Sequence, residues 1–222
     1  MSLNVKIEKY RLQWQLYSNK AENDLIEKYG LIGCLWHDFR THDLDWSLPG
    51  FRAIATYRFG TWARTISLRP ARQAILIFHL YMFRLVRNRY GIELYLTSQI
   101  GRGVRFGHQN GIVIHRFARI GDRCLIRQGV TFGEGGLNKD NFADKIGPVV
   151  GNDVDIGAGA VLIGNVKIGD RVHIGPNAVV ITDIPADATV FAPMSKIISR
   201  VRPAENNHAP IPCVLHLERE LS

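Results

Sequence analysis

A six-residue period runs through the middle of the chain, between Leu94 and Pro185. In six consecutive hexads the first residue is aliphatic, the second is usually Gly, and the fifth is small or branched and apolar. This period fits neither an α-helix nor a simple alternating strand, but it matches one short strand and one turn of a parallel β-helix. We therefore expect stacked triangular coils in which the first and fifth residues face inward. The leading residues are Val150, Ile156, Leu162, Ile168, Ile174 and Val180.

The pattern continues upstream with two irregularities. The earliest hexads lie two residues out of frame with the later ones, and the fifth residue of the last of these is the polar Asn110. Residues 134–147 are Gly-rich and polar, so we expect a loop that leaves a corner of the coil, and long loops on a rigid repeat scaffold are often functional. The upstream leading residues are Leu94, Ile100 and Phe106, then Ile114, Ile120, Ile126 and Phe132.

Helical signals precede the repeats. The stretch Ser47-Leu-Pro49 offers a cap followed by Pro in the first turn, which is typical of a helix start. Gly91 is suited to a left-handed C-cap. The predicted helices run from Leu31 to near Asp43, from Pro49 to Ala63, and from Leu68-Arg-Pro70 to about Tyr90. We thus expect a helical segment over residues 1–91, a β-helix over 92–193 and a tail over 194–222.

Composition narrows the function classes. The net charge of +8 would suit nucleic-acid binding, but no recognition motif or stacking platform accompanies it. The basic residues leave three uses open: a phosphate-rich small ligand, an anionic membrane face, or a solvated surface. Three widely spaced cysteines give no disulfide framework and no CxxC motif, so we expect a reducing cytoplasm. The start lacks the layout of a signal peptide, and the longest apolar run, Ala74 to Val86, is shorter than the ~20 residues that span a bilayer.

Three stretches resemble one family. Gly107–Ile114 and Ile120–Gly133 are similar to the active-site segment of serine acetyltransferases and their sugar-modifying relatives, and Gly50–Gly60 resembles the helix before their repeats. The resemblance implies a left-handed β-helix of the hexapeptide-repeat acyltransferases, assembled as a homotrimer. It implies acetyl-CoA as co-substrate, no permanently bound cofactor and a small hydroxyl-bearing acceptor. The helical part looks shorter than in hexameric serine acetyltransferases, which argues against a dimer of trimers.

His108 is the candidate general base. Transfer of an acyl group from a thioester to an alcohol requires the alcohol's proton to leave as its oxygen attacks, and a neutral imidazole suits that role. In the resembling family the His at this position has it; without the resemblance, a surface His at a coil corner is the simpler interpretation. The family also has an Asp before this His, and an Arg and a second His before a Pro. Here those positions read Gly107, Ile146 and Gly147.

These differences bear on the acceptor. Loss of the Arg removes the bidentate partner of an amino acid's carboxylate, so we expect a sugar or polysaccharide precursor, with L-serine as the alternative. A non-catalytic β-helix that scaffolds a partner enzyme is the alternative from another class. A peripheral contact of the basic helices with the inner membrane face stays open. The acceptor-binding candidates are Asp43, Asn110 and His115.

The donor should lie along the wall of the prism between subunits, as the resemblance implies. Small residues at a corner would admit the pantetheine arm, and backbone N–H groups would stabilise the thioester oxygen as charge develops; a tight turn alone would also explain small residues. His108 and His115 are seven apart and do not match the spacing of metal-binding β-helix enzymes, so no metal is expected. The donor-binding candidates are Gly133, Gly135, Gly136, Gly157, Ala158, Gly159, Lys196 and Arg200.

Overall fold

The computed structural model describes residue 11 and residues 14–21, 23–135 and 146–194. After a short helical stretch at 14–18, the helices are α1 (Asp24–Thr41), α2 (Pro49–Thr65) and α3 (Arg69–Tyr90). Within this part of the chain, none of the helices is long and apolar enough to span a membrane. The tail residues from 195 onward lie outside the described residues.

Short parallel strands follow the helices and stack in three sheets. The strands are β1 (Ile92–Leu94), β2 (Gln99–Ile100), β3 (Arg105–Phe106), β4 (Ile112–Ile114), β5 (Arg119–Ile120), β6 (Leu125–Ile126), β7 (Thr131–Gly133), β8 (Val149–Val150), β9 (Asp155–Ile156), β10 (Val161–Ile163), β11 (Lys167–Ile168), β12 (His173–Ile174), β13 (Val179–Val180) and β14 (Thr189–Val190). Sheet A has the order β1-β4-β7-β10-β13, sheet B the order β11-β8-β5-β2, and sheet C the order β14-β12-β9-β6-β3. Successive strands fall in different sheets, so the chain winds around a three-sided parallel β-helix.

The predicted inward positions are almost all confirmed. Every leading residue from Leu94 to Val180 is buried, and so are the fifth residues, including Ser98 and Cys124. Burial raises the pKa of the Cys124 thiol to about 11, as suits a small core residue. Asn110 is the exception: it is exposed, with a left-handed φ of 78°, and Ile112 fills the core instead. The two-residue frame shift therefore lies in this corner.

The helices pack on the first coils and share one core with them. Their ends differ from expectation, and α1 begins at Asp24, seven residues before the predicted start at Leu31. The first ends at Thr41, before the left-handed residues Asp43 and Leu44, and it is kinked at Gly30, where φ is 67°. Leu48 takes the cap position of α2 in place of Ser47, since Pro49 already has helical geometry. Two further residues extend α2 to Thr65, and Gly91 closes α3 with a φ of 64°, as predicted.

A buried ion pair joins α1 and α2 to the coils. Nε of Arg58 donates to the carboxylate of Asp38 at 2.8 Å, and both side chains are almost completely buried. The two remaining guanidinium nitrogens donate to the carbonyl oxygens of Ile100 and Gly101, at 2.7 and 2.6 Å. One side chain therefore fixes the helices to a corner of the coil. The charge-assisted hydrogen bonds compensate for the cost of removing the guanidinium and the carboxylate from water.

His79 is a packed structural residue of α3. It is 1% exposed, Nδ1 contacts the hydroxyl of Tyr17, and Nε2 has no hydrogen-bond partner among the described residues. Burial lowers the pKa of His79 from 6.5 to about 4. Because the folded state favours the neutral ring, neutral His79 stabilises the folded protein. This stabilisation is complete above about pH 6.5 and is lost as the pH falls through about 4.

We expect His79 to contribute roughly 3 kcal/mol to the loss of stability between about pH 7 and pH 4. Urea unfolding of the wild-type protein and of His79→Leu at both pH values measures it. The variant should lose less stability on acidification than the wild type, although its stability at neutral pH also changes. Equal losses in both proteins would contradict the assignment.

Candidate functional site

His108 lies on the corner that joins β3 of sheet C to β4 of sheet A. Its side chain is exposed and its φ is 64°, a conformation that non-glycine residues rarely adopt. Eight residues separate the leading residues Phe106 and Ile114 here, in place of six. Within the described part of the chain, the imidazole has no hydrogen bond or ion pair. The fold thus presents an unpartnered imidazole at a widened corner.

A column of small residues stacks on this corner, coil by coil. The backbone N–H of Gly129 donates to the carbonyl of Asn110 at 3.0 Å. The backbone N–H of Gly159 donates to the backbone carbonyl of Gln128 at 2.9 Å. A Cβ on Gly159 would collide with the side chain of Asn177, and one on Gly157 would lie 2.6 Å from the nitrogen of Pro176. Close stacking therefore accounts for the small size of Gly157 and Gly159, with Ala158 between them. It also leaves a smooth wall one and two coils from His108.

Gln128 belongs to the same column. Its side-chain oxygen is buried and has no hydrogen-bond partner in the part of the chain that the structure describes. A buried unsatisfied acceptor costs about 1–3 kcal/mol, so a hydrogen-bond donor reaching this atom would be stabilised. The residue lies one coil from Asn110, through the Gly129 hydrogen bond.

His42 connects the end of α1 to the same corner. Its Nδ1–H donates to the carbonyl of Asp38 at 2.7 Å, and its Nε2 accepts from the backbone N–H of Phe106 at 3.2 Å. These two bonds require the neutral ring, in which one nitrogen donates and the other accepts. Burial also favours the neutral form, because it lowers the pKa of His42. The backbone two residues before His108 is therefore tied to the buried Arg58–Asp38 pair.

Asp43 lies beside β3, paired with Arg105. The guanidinium forms a bidentate ion pair with the carboxylate, with Nη1 at 3.0 Å from Oδ1, and both side chains are well exposed. His108 is three positions after Arg105, so their Cα atoms are at most about 11 Å apart. The structure thus places an exposed carboxylate and an exposed guanidinium near the candidate general base.

A second cluster lies at the opposite edge of sheet A, where the chain turns towards sheet B. His115 follows β4, and its side chain is 17% exposed and lies edge-on to Phe117. Burial lowers the pKa of His115, and Nε2 is 3.9 Å from a carboxylate oxygen of Glu134. Gly133 ends β7 in the same sheet, and a Cβ on Gly135 would lie 2.6 Å from Cα of Gly164.

The predicted site residues therefore fall at two edges of one face. His108, Asn110 and the 157–159 corner share one edge, with Asp43 beside it, whereas His115, Gly133 and Gly135 share the other. The strands of sheet A separate the two groups. Gly136, Lys196 and Arg200 lie outside the described residues. Across the described ranges, no three His, Cys, Asp or Glu side chains are grouped so that they could hold a metal ion.

The two glycines at positions where the family has side chains differ in the space around them. A Cβ on Gly147 would lie 2.9 Å from the carbonyl carbon of Phe117 and 3.0 Å from the nitrogen of Ala118, so the backbone would have to move. A Cβ on Gly107 would make only ordinary van der Waals contacts, the shortest at 3.6 Å to the end of Leu125. A side chain is therefore accommodated before His108 but not at 147.

We expect Gly147→Ala to cost about 1–3 kcal/mol of unfolding free energy through overpacking. The matched variant Gly107→Ala should change stability by no more than about 0.5 kcal/mol. Chemical denaturation of both proteins measures the difference. Equal stability of the two variants would show that the corner at Gly147 relaxes more easily than its contacts indicate.

Three residues of this region escaped the sequence pattern: Arg105, His42 and Gln128. Arg105 occupies an ordinary outward strand position, and its partner is 62 residues away in the sequence. His42 and Gln128 stand in apolar or turn surroundings that carry no motif. Only the position of Arg105 within the segment leading to His108 offered a signal.

Comparisons with known proteins agree with this geometry. The family model described as bacterial transferase hexapeptide (six repeats) matches residues 147–182. A serine acetyltransferase of Helicobacter pylori is 40% identical over 154 residues, covering 69% of this chain and 84% of the relative. A serine acetyltransferase of Synechococcus elongatus is 35% identical over 166 residues; the match covers 74% of this chain but only 64% of that relative.

The solved structures give the same result. The structure of serine acetyltransferase from Brucella abortus in complex with coenzyme A superposes with a TM-score of 0.62 at 25% identity, covering 76% of this chain and 68% of the other. The expected fold, helices followed by a left-handed parallel β-helix, is confirmed. The protein is a hexapeptide-repeat acyltransferase. Within that class, the chain belongs to the serine acetyltransferase family.

Proposed function

We propose that this protein transfers an acetyl group from acetyl-CoA to a hydroxyl, with His108 as general base. The unpartnered imidazole at the widened corner is the observation that carries the proposal. His108 takes the proton of the acceptor hydroxyl as its oxygen attacks the thioester carbon. When the tetrahedral intermediate collapses, the C–S bond breaks and the imidazolium returns the proton to the departing thiolate. The products are the O-acetyl ester and free coenzyme A.

L-Serine is the acceptor that the comparisons favour, because the relatives are named serine acetyltransferases. The sugar acceptor that the sequence suggested has no support from them. The Asp43–Arg105 pair offers a physical basis for serine in the absence of the family's Arg. A zwitterion can exchange with this exposed ion pair, with its ammonium on Asp43 and its carboxylate on Arg105. The serine hydroxyl would then face His108.

A sugar hydroxyl remains the second candidate, favoured by two specific observations. Gly147 stands where the family has its second His, and its surroundings leave no room for a side chain. Gly107 leaves His108 without the carboxylate that supports it in serine acetyltransferases. These changes remove one polar side chain from each edge of sheet A, which suits a neutral acceptor better than an amino acid.

Acetyl-CoA is the donor that this family implies, and coenzyme A is bound in the Brucella structure. The wall formed by Gly157, Ala158 and Gly159 would accommodate the pantetheine arm. The backbone N–H groups near Gly133 and Gly135 would stabilise the oxyanion. Neither role requires a permanently bound cofactor.

A trimer would unite the two edges of sheet A. The outer face of sheet A carries exposed apolar residues, including Val179 and Ile181, which are 62% and 67% exposed. If neighbouring subunits pack on this face, the His108 edge of one subunit can meet the Gly133 edge of the next. Sedimentation equilibrium tests this assembly, and a monomer that is fully active would contradict a shared site.

The experiment is thiol release from acetyl-CoA, with L-serine, a panel of sugars and nucleotide sugars, or no acceptor. We expect turnover with L-serine, and Arg105→Gln should raise KM for serine more than it lowers kcat. The control Arg123→Gln removes an exposed bidentate pair with Asp153 on the coil, away from the corner, and should leave both constants unchanged. Turnover with a sugar alone would establish the second candidate, and no turnover with any acceptor would support a non-catalytic scaffold.

A further inference from the structure

The outward side of α3 carries an apolar face at helical spacing. Ile77, Phe78, Tyr81 and Leu85 are 60%, 55%, 59% and 45% exposed, whereas the opposite side of the helix is buried. Phe78 also meets Phe59 of α2 edge-on, with ring centroids 6.1 Å apart. Surface patches of a few hundred Å² of contiguous apolar area are commonly interaction sites. We call this set of four residues the apolar face of α3.

Positive charge surrounds this face without any acid to balance it along the helix. Between Asp45 and Glu93 the sequence has no acidic residue. Arg69, Arg84 and Arg89 are exposed and form no hydrogen bond or salt bridge within the described residues. Other arginines of the region are already used, since Arg58 and Arg72 are bound to buried partners. Within the described residues these three arginines are therefore not committed to a hydrogen bond or an ion pair, and Arg84 acts on Tyr17 only electrostatically.

An apolar stripe bordered by arginines has the character of a helix that lies in a membrane interface. Aromatic side chains such as Tyr81 and Phe78 favour the level of the headgroups, and the arginines reach anionic lipids beside them. A second copy of this chain fits less well, because a two-fold contact would place equal positive charges against each other. Nucleic acid fits less well too, because the centre of the face is apolar.

We propose that the apolar face of α3 docks the protein on an anionic lipid surface. Ile77, Tyr81 and Leu85 enter the interface, and Arg84 and Arg89 pair with lipid phosphates. The candidate active site belongs to the three-sided β-helix, and His108 and Asn110 are not part of this face. Docking would thus concentrate the enzyme at the membrane without changing its chemistry.

The test is co-sedimentation of the full chain with vesicles of phosphatidylcholine containing phosphatidylglycerol, and with vesicles of phosphatidylcholine alone. We expect binding to the anionic vesicles only, weakening as salt is raised. Arg84→Gln/Arg89→Gln should lower the partition coefficient by roughly 25-fold, at about fivefold per arginine. Ile77→Gln/Tyr81→Gln/Leu85→Gln should abolish binding, and Gln retains good helix propensity.

Two controls separate docking from general effects of charge and folding. Arg123→Gln/Arg171→Gln removes the same charge from exposed positions of the coil and should bind like the wild type. Circular dichroism confirms that each variant is folded. Absence of binding to anionic vesicles at low salt, or equal binding by the α3 variants, would overturn the proposal. A change in oligomeric mass of the apolar variant without loss of vesicle binding would assign the face to a second copy instead.

Discussion

His108→Asn is expected to lower kcat/KM for the transfer reaction by about 10²–10⁴-fold, the contribution typical of a general base. Asn is the chosen replacement because it tolerates the left-handed backbone that His108 adopts, with φ 64°. The side chain is exposed and makes no internal bond in the described structure, so stability should be unchanged. Thiol release from acetyl-CoA measures the effect, and thermal unfolding verifies the fold.

The matched control for this variant is His173→Asn. His173 is also an exposed histidine of the β-helix, but it lies in β12 and pairs with Asp155, away from the widened corner. It should keep wild-type turnover. If His108→Asn retains full activity, or if both variants lose activity equally, the base lies elsewhere.

Arg58→Met is expected to cost about 3–5 kcal/mol of unfolding free energy, because it leaves the buried Asp38 carboxylate without its partner. The carbonyl oxygens of Ile100 and Gly101 lose their donors as well. Denaturant unfolding monitored by far-UV circular dichroism measures the loss. The double variant Arg58→Met/Asp38→Leu should be more stable than the single one, because it removes the uncompensated charge.

Arg123→Met is the comparison for this pair. Arg123 and Asp153 form equally short bonds, at 2.6 Å, but both side chains are exposed to solvent. Exposed pairs contribute little to stability, so this variant should be far less destabilised than Arg58→Met. Similar losses in the two variants would show that burial does not determine the strength of the Arg58 network.

The β-helix was predictable because its signal is local and repeated. Each hexad has the same inward positions, so one wrongly predicted position, such as Asn110, does not affect the prediction for the other hexads. The three helices followed from Pro and Gly punctuation, but α1 begins seven residues before the predicted Leu31 and ends at Thr41, where left-handed Asp43 and Leu44 follow.

The candidate site was predictable only in part. His108 was found because the resemblance supplied a role for an otherwise ordinary corner residue. The Asp43–Arg105 pair and the His42–Phe106 bond join residues about 60 positions apart, and no period encodes such contacts. His108 and His115 are separated because β4 runs between them across sheet A.

The eight-residue step at the His108 corner has a consequence for how such a protein can change. Each side of a coil takes six residues, so this corner holds two residues more than the others, and the side chains of His108, Gln109 and Asn110 are all exposed. Substitutions there alter what the corner touches without disturbing the layers above and below. Coils elsewhere can be lengthened or duplicated while the corner stays as it is. The hexads that stabilise the stack and the corner residues that determine what the site contacts therefore lie in different parts of the same repeat region.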